Sequence, residues 1–178
     1  MFRKHHKPST TPNNVNGSLG LDNFNDLLKE LSATDTAPRF VYTHLMLPHE
    51  PFYLKADGSP VSDSAIIKNT VDERSGYIAQ VTYSNKLLEQ IIRKTEEKST
   101  RPRVIIIEGD HGYRFWDEKN LKKEFPNLNS YYFSDGDYSA LYEGISPVNS
   151  FRVIMNKYFC QHMKMVKDSS VYLKKPGQ

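Results

Sequence analysis

Hydrophobic positions recur with two different periods along the 178-residue chain, and the switches between them mark out its elements. Leu21, Phe24, Leu27, Leu28 and Leu31 fall three and four residues apart, the stripe of a short amphipathic helix. Asp22 or Ser18 is placed to cap its start. Residues 1–18 carry Pro, Thr, Asn and Ser without periodicity and read as a flexible lead-in. After Pro38 the pattern tightens. Arg39 to Leu47 is dense in β-branched and aromatic residues with few charges, as expected of a strand buried on both faces. It runs into Pro48-His49-Glu50-Pro51-Phe52, where the prolines predict a rigid, extended exit. Asp57-Gly58 and Ser59-Pro60 then predict a turn-rich loop over residues 53–70.

The longest helical pattern follows. Tyr77, Val81, Ser84, Leu88, Ile91 and Thr95 form one face, widened by Ile78, Leu87 and Ile92. Gln80, Asn85, Lys86, Glu89 and Arg93 lie between them, so this reads as a core-facing helix of about six turns with a polar back. Arg101-Pro102-Arg103 closes it and leads into Val104-Ile105-Ile106-Ile107, which reads as a buried parallel strand. A helix feeding such a strand implies a crossover, and hence an α/β fold with a mainly parallel sheet flanked by helices. Further on, residues 115–125 have mixed helical character, Asn129 to Phe133 reads as a short strand, and Ser134 to Asp137 as a turn. Pro147 opens a last helix through Phe159 and Cys160. The chain has no internal repeat, and nothing marks a domain boundary after residue 18.

Composition narrows the class. Hydrophobic residues make up 38% and aromatics 12%, too many for a disordered chain. No run approaches the roughly 20 apolar residues of a membrane-spanning helix, so no membrane contact is expected from this chain itself. Its first residues lack the apolar core of a signal peptide. The net charge of +3 comes from 24 basic residues interleaved with 21 acidic ones, a solvated surface rather than a nucleic-acid stripe. The single cysteine excludes an internal disulfide framework.

Two segments carry chemistry. Ile105-Ile106-Ile107-Glu108-Gly109-Asp110-His111-Gly112 ends an apolar strand with an adjacent carboxylate and imidazole between glycines. Ligands in open α/β sheets bind at strand carboxyl ends, so Asp110 and His111 form a candidate metal pair suited to zinc or manganese. The alternative is that Asp110 caps the next element and His111 is an ordinary turn histidine. His49, just past another strand end, is a candidate for binding an anionic group or for acid–base work. His44 lies within that strand, where it is either a second substrate contact or a satisfied interior residue.

With these residues the chain resembles a known family. LPHEPF after a strand, a helix containing YIAQVTYSNKLLEQII, then VIIIEGDHG and LYEGISPVNSFRVIMNKYF, are similar to the C-terminal half of the catalytic domain in the sulfatase-like branch of the alkaline phosphatase superfamily. The resemblance spans about residues 20–172 and implies an alkaline phosphatase-like partial domain over residues 19–178. It implies that Asp110 and His111 bind the divalent metal and that His49 contacts the sulfate or phosphate group. A histidine beside the aspartate leans toward manganese or zinc over calcium, which prefers all-oxygen ligands.

The departures from that pattern matter equally. The family's acidic ligand and its Thr, Ser or modified Cys nucleophile belong to an earlier segment, which matches nothing here. Thr10 and Thr11 lack the frame, and Cys160 lacks the Cys-x-Pro-x-Arg context of a modifiable cysteine. Tyr113 and Arg114 stand where relatives carry a further histidine; Arg114 is a candidate anion contact or a surface arginine. The expectation is the metal- and substrate-binding portion of a hydrolase of sulfate or phosphate esters. It would be inactive without a nucleophile-bearing segment, its expected partners being the ester and the N-terminal half of the same protein. The alternatives are a fragment of a phosphoethanolamine- or phosphoglycerol-transferring envelope enzyme, or a non-catalytic domain. The family's usual setting implies an extracytoplasmic location, in a membrane-anchored parent protein.

Overall fold

A computed structural model describes residues 21–33, 37–62, 64–65, 71–98, 101–114 and 124–171. The expected lead-in and most of the mixed segment 115–125 lie outside the described residues. In chain order the elements are helix α1 (Asp22–Ser32), helix α2 (Glu73–Lys98), strand β1 (Val104–Glu108), strand β2 (Asn129–Phe133) and helix α3 (Pro147–Phe159). They fall into two compact units, residues 1–98 and 99–178.

The first unit is a pair of helices with an extended cover. Phe24 and Leu27 of α1 are buried against Leu87 and Ile91 of α2, as the α1 stripe predicts. Burying each such side chain contributes about 1.5–3 kcal/mol. Leu21 occupies the N-cap position, which has no side-chain cap, and Asp22 sits in the first turn, where a negative charge suits the helix dipole. Leu45 and Leu47 also pack on this cluster.

The rest of the expected strand behaves otherwise. Residues 38–46 form no ladder, and Phe40 and Tyr42 are about 70% exposed. A strand buried on both faces needs neighbours on its edges and layers on both sides. Here only alternate residues near its end, Leu45 and Leu47, have a helix surface to cover, which leaves His44 and Met46 exposed.

Helix α2 is rotated from the expected orientation. Its most buried positions are Gly76, Gln80, Leu87 and Ile91, while Ile78 is exposed. The rotation follows from Phe52 and Leu54, which are buried in the same unit, and from the Tyr53 and Leu54 N–H groups, which donate to Gln80 Oε1. A Cβ on Gly76 would stand 2.6 Å from the Phe52 ring, so this glycine permits the close approach. Residues 53–61 turn back on themselves through Val61 N–H to Tyr53 O (2.7 Å) and Lys55 N–H to Ser59 O (2.9 Å). Gly58 supplies the positive φ of 88° this turn needs.

In the second unit β1 pairs with β2 in antiparallel register, Val104 opposite Phe133 and Glu108 opposite Asn129. The parallel neighbour expected for β1 is not among the described residues. The chain returns from Glu108 to Asn129 within about 20 residues and lies beside β1 in reverse, and with one neighbouring strand the β1 side chains are only half buried. No parallel pair, and therefore no crossover, occurs among the described residues. Phe133 is almost fully buried, stacked on Tyr138 (5.2 Å between centroids) and edge-on to Tyr158 of α3 (5.7 Å), and Val153 and Ile154 of α3 are buried in the same unit. Pro147 takes the first turn of α3 as expected. Cys160 lies just past the helix rather than in it, exposed and left-handed (φ 51°).

Candidate functional site

Each unit presents one histidine in the same manner. In the first, the exit from residue 47 is a turn rather than an extended run. Leu47–Pro48 and Glu50–Pro51 are cis, and the His49 N–H donates to Met46 O (2.8 Å). The physical reason is Gln80, fully buried on α2, whose side-chain amide replaces a strand neighbour. Its Nε2 donates to His49 O (3.0 Å), and its Oε1 accepts from Tyr53 N–H (2.9 Å) and Leu54 N–H (3.2 Å). Buried backbone groups must find partners, and one amide satisfies three of them.

The His49 ring is tied locally. Its Nδ1 lies 2.5 Å from Glu50 O, and a carbonyl only accepts, so Nδ1 carries the proton. Nε2 is then the nitrogen left to face a ligand. Glu50 Oε2 lies 3.5 Å from Nδ1. His44 is exposed, and its carbonyl accepts from Asn23 Nδ2 (2.7 Å), which ties its backbone to α1.

In the second unit, Asp110 and His111 follow the end of β1. His111 Nδ1 lies 2.7 Å from Gly112 O, which again leaves Nε2 outside that bond. That Nε2 is 3.6 Å from Asp110 Oδ1, so an imidazole nitrogen and a carboxylate oxygen stand side by side. Asp110 is 77% exposed at its side chain and His111 28%. The backbone around them is pinned by Gly109 N–H to Leu128 O (2.8 Å), Gly112 N–H to Glu124 O (2.6 Å) and the Asn127 amide donating to Gly109 O. Arg114 is exposed three residues past His111.

Just upstream, Glu108 accepts from Ser150 Oγ on α3, and Tyr131 OH lies 2.6 Å from the same Ser150 oxygen. Burial, ahead of the charge of Glu108, pushes the Tyr131 phenol above its ordinary value. This network fixes the end of β1 immediately before Asp110. Sequence reasoning passed over Glu108 and Gln80; the signal for Glu108 was a lone acid ending an apolar strand, and Gln80 left none.

The donor set fits a divalent cation chemically, with one nitrogen and one carboxylate in adjacent positions. It supplies two ligands. No group of three or more His, Cys, Asp or Glu residues gathered to hold a metal occurs among the described residues.

The sulfatase family model matches residues 3–151, most of the chain, and the protein belongs to that family. Its members are hydrolases of sulfate esters that use a divalent metal ion, with an alkaline phosphatase-like α/β fold. Neither a curated protein nor a solved structure matches the chain.

Proposed function

We propose that this chain is the metal- and anion-binding portion of a sulfatase-type hydrolase acting on sulfate or phosphate esters. Asp110 and His111 hold the cation, and His49 contacts the ester's oxyanion. The observation that carries this reading is the placement of His111 Nε2 beside Asp110 Oδ1, 3.6 Å apart at the end of β1, with Nδ1 already held by a carbonyl. A ligating histidine is oriented by what its other nitrogen donates to, and here the backbone does that work. A nitrogen ligand favours manganese or zinc over calcium. When bound, the cation supplies a Lewis acid that offsets charge on the ester oxygens.

The protein's own groups do the rest. His49, once protonated, donates from Nε2 to a sulfate or phosphate oxygen while Nδ1–H stays on Glu50 O, so the ring need not turn to bind. Arg114 and His44, both exposed, are further anion contacts in this reading. Covalent transfer needs a nucleophile beside the metal, and the sequence frames none. In this proposal the nucleophile, the remaining metal ligands and the parallel part of the sheet come from a further segment of the parent protein. The same reading puts the parent protein's work outside the cytoplasmic membrane, supported by the family resemblance alone; among the described residues no helix is long and apolar enough to cross one.

Titration with manganese and zinc tests the site. Wild type is expected to bind at least about tenfold more tightly than His111→Ala or Asp110→Asn, the scale of losing one ligand or its support. Equal, negligible binding in all three sinks the metal assignment. Sulfate and phosphate binding, measured by calorimetry, should be lost most in His49→Ala and weaken less in His44→Ala or Arg114→Ala; equal binding in all variants overturns the anion assignment.

A further inference from the structure

Beyond α3 the chain continues as an extended strap, residues 161–168, outside the segment matched by the family model. None of its side chains is buried, with Met163, Met165 and Val166 keeping 42%, 37% and 42% of their surface exposed. What holds it is backbone. Asn156 accepts Met163 N–H at Oδ1 (2.7 Å) and donates Nδ2 to Met163 O (2.9 Å). Asn149, fully buried, does the same for Val166, accepting its N–H (3.1 Å) and donating to its carbonyl (2.8 Å). Each asparagine thus imitates the neighbouring residue of a β-ladder.

The spacing fits. Asn149 and Asn156 are seven residues apart, two helical turns or about 10.5 Å. Met163 and Val166 are three apart, and three residues of extended chain span about 9–10 Å. The strap therefore runs antiparallel to α3 with both rungs in register.

One side chain of the strap is also read. Asp168 accepts from Ser146 N–H (2.8 Å), Ser146 Oγ, Tyr142 OH (2.6 Å) and Asn149 Nδ2 (3.0 Å). It stands at the start of α3, where the N-cap residue Ser146 makes no side-chain cap of its own and a negative charge is favoured.

We propose that the Ser146–Asn156 face of α3 is a binding site for an extended peptide segment. It recognises two backbone positions three residues apart and a carboxylate two residues beyond the second, and the chain's own residues 161–168 fill it in cis. Because recognition is through backbone and one carboxylate, the other strap side chains are free to vary, and the same segment supplied as a separate peptide binds when the cis copy is displaced.

The test uses the full chain and a labelled peptide of residues 160–171. In wild type the Met163 and Val166 amides should exchange at least about tenfold more slowly than in the free peptide. Combined replacement of Met163, Lys164, Met165 and Lys167 by alanine should leave that protection within about threefold, whereas Asn156→Ala should abolish it at Met163. Two variants free the site without altering α3: Val166→Pro, which removes the N–H that Asn149 accepts, and Asp168→Asn. Both should bind the peptide in trans at least about fivefold more tightly than wild type, whose tethered strap competes at millimolar effective concentration, the gain being set by how far each substitution weakens the strap. A peptide carrying Asp168→Asn should bind neither. Protected Val153 and Ile154 amides show that each variant is folded. Rapid exchange at Met163 and Val166 in wild type, release of the strap by the alanine replacements, or no trans binding to either folded variant overturns the proposal.

Discussion

The two candidate histidines are presented alike but supported differently. His49 and His111 both give Nδ1 to the carbonyl of the next residue and keep Nε2 for a ligand. Behind His49 stands a single neutral amide, Gln80, fully buried and reaching back 26–31 residues. Behind Asp110 and His111 stands a set of shorter-range backbone pins and a polar network through Glu108, Ser150 and Tyr131. A site residue framed by one buried group is rigid but has a single point of failure. One framed by several half-buried bonds degrades in small steps.

That contrast is sharpest at Gln80. Replacement by leucine keeps the volume and leaves Tyr53 N–H, Leu54 N–H and His49 O without their partner, so the first unit should lose about 2–4 kcal/mol. Denaturant unfolding monitored by amides of α1 and α2 measures it, and a loss below about 1 kcal/mol would mean that water replaces the clamp. Gly76→Ala comes next. Its Cβ meets Phe52 at 2.6 Å, and overpacking there should destabilise by about 1–3 kcal/mol while shifting the His49 ring resonances. Asn127→Ala, which removes one pin on Gly109, should lower stability by only about 1 kcal/mol yet weaken manganese binding several-fold. Loss of stability without loss of affinity would separate the pin from the metal pair.

The smallest effect is a pH dependence confined to strong acid. Hydrogen bonds from Ser146, then from Tyr142, hold the Asp168 carboxyl down to about 2 from its ordinary 3.8. A depressed folded-state value stabilises above the ordinary one and is lost as pH falls through the folded one. The strap should therefore stay bound to about pH 3 and loosen through about pH 2, seen in the Val166 and Ser146 amide shifts. Gln80 itself does not titrate, so acid should move the Tyr53 and Leu54 amides less than those of Val166 and Ser146.

Much of the local structure was legible because short-range rules produce it. The Leu21–Leu31 stripe, the apolar run 104–107, the 129–133 strand, the Asp57-Gly58 turn and Pro147 at a helix start all appear where their patterns place them. The Asp110-His111 pair could be singled out because a carboxylate and an imidazole after an apolar strand is a local pattern. The expected strand over 39–47 and the parallel partner of β1 did not appear among the described residues. Apolar, β-branched composition states that a segment suits a sheet, but the sheet itself consists of hydrogen bonds to other strands.

The sequence by itself determined where the helices and most turns fall and the family to which the chain belongs. Only the tertiary structure decided which face of α2 is inward, that β1 and β2 run antiparallel, and that Gln80, Asn149 and Asn156 are the groups that hold backbone in place. The reason is physical. A side-chain amide is equally at home in water or bonded to a distant peptide group, so its periodicity in the chain carries no sign of the partner that folding supplies.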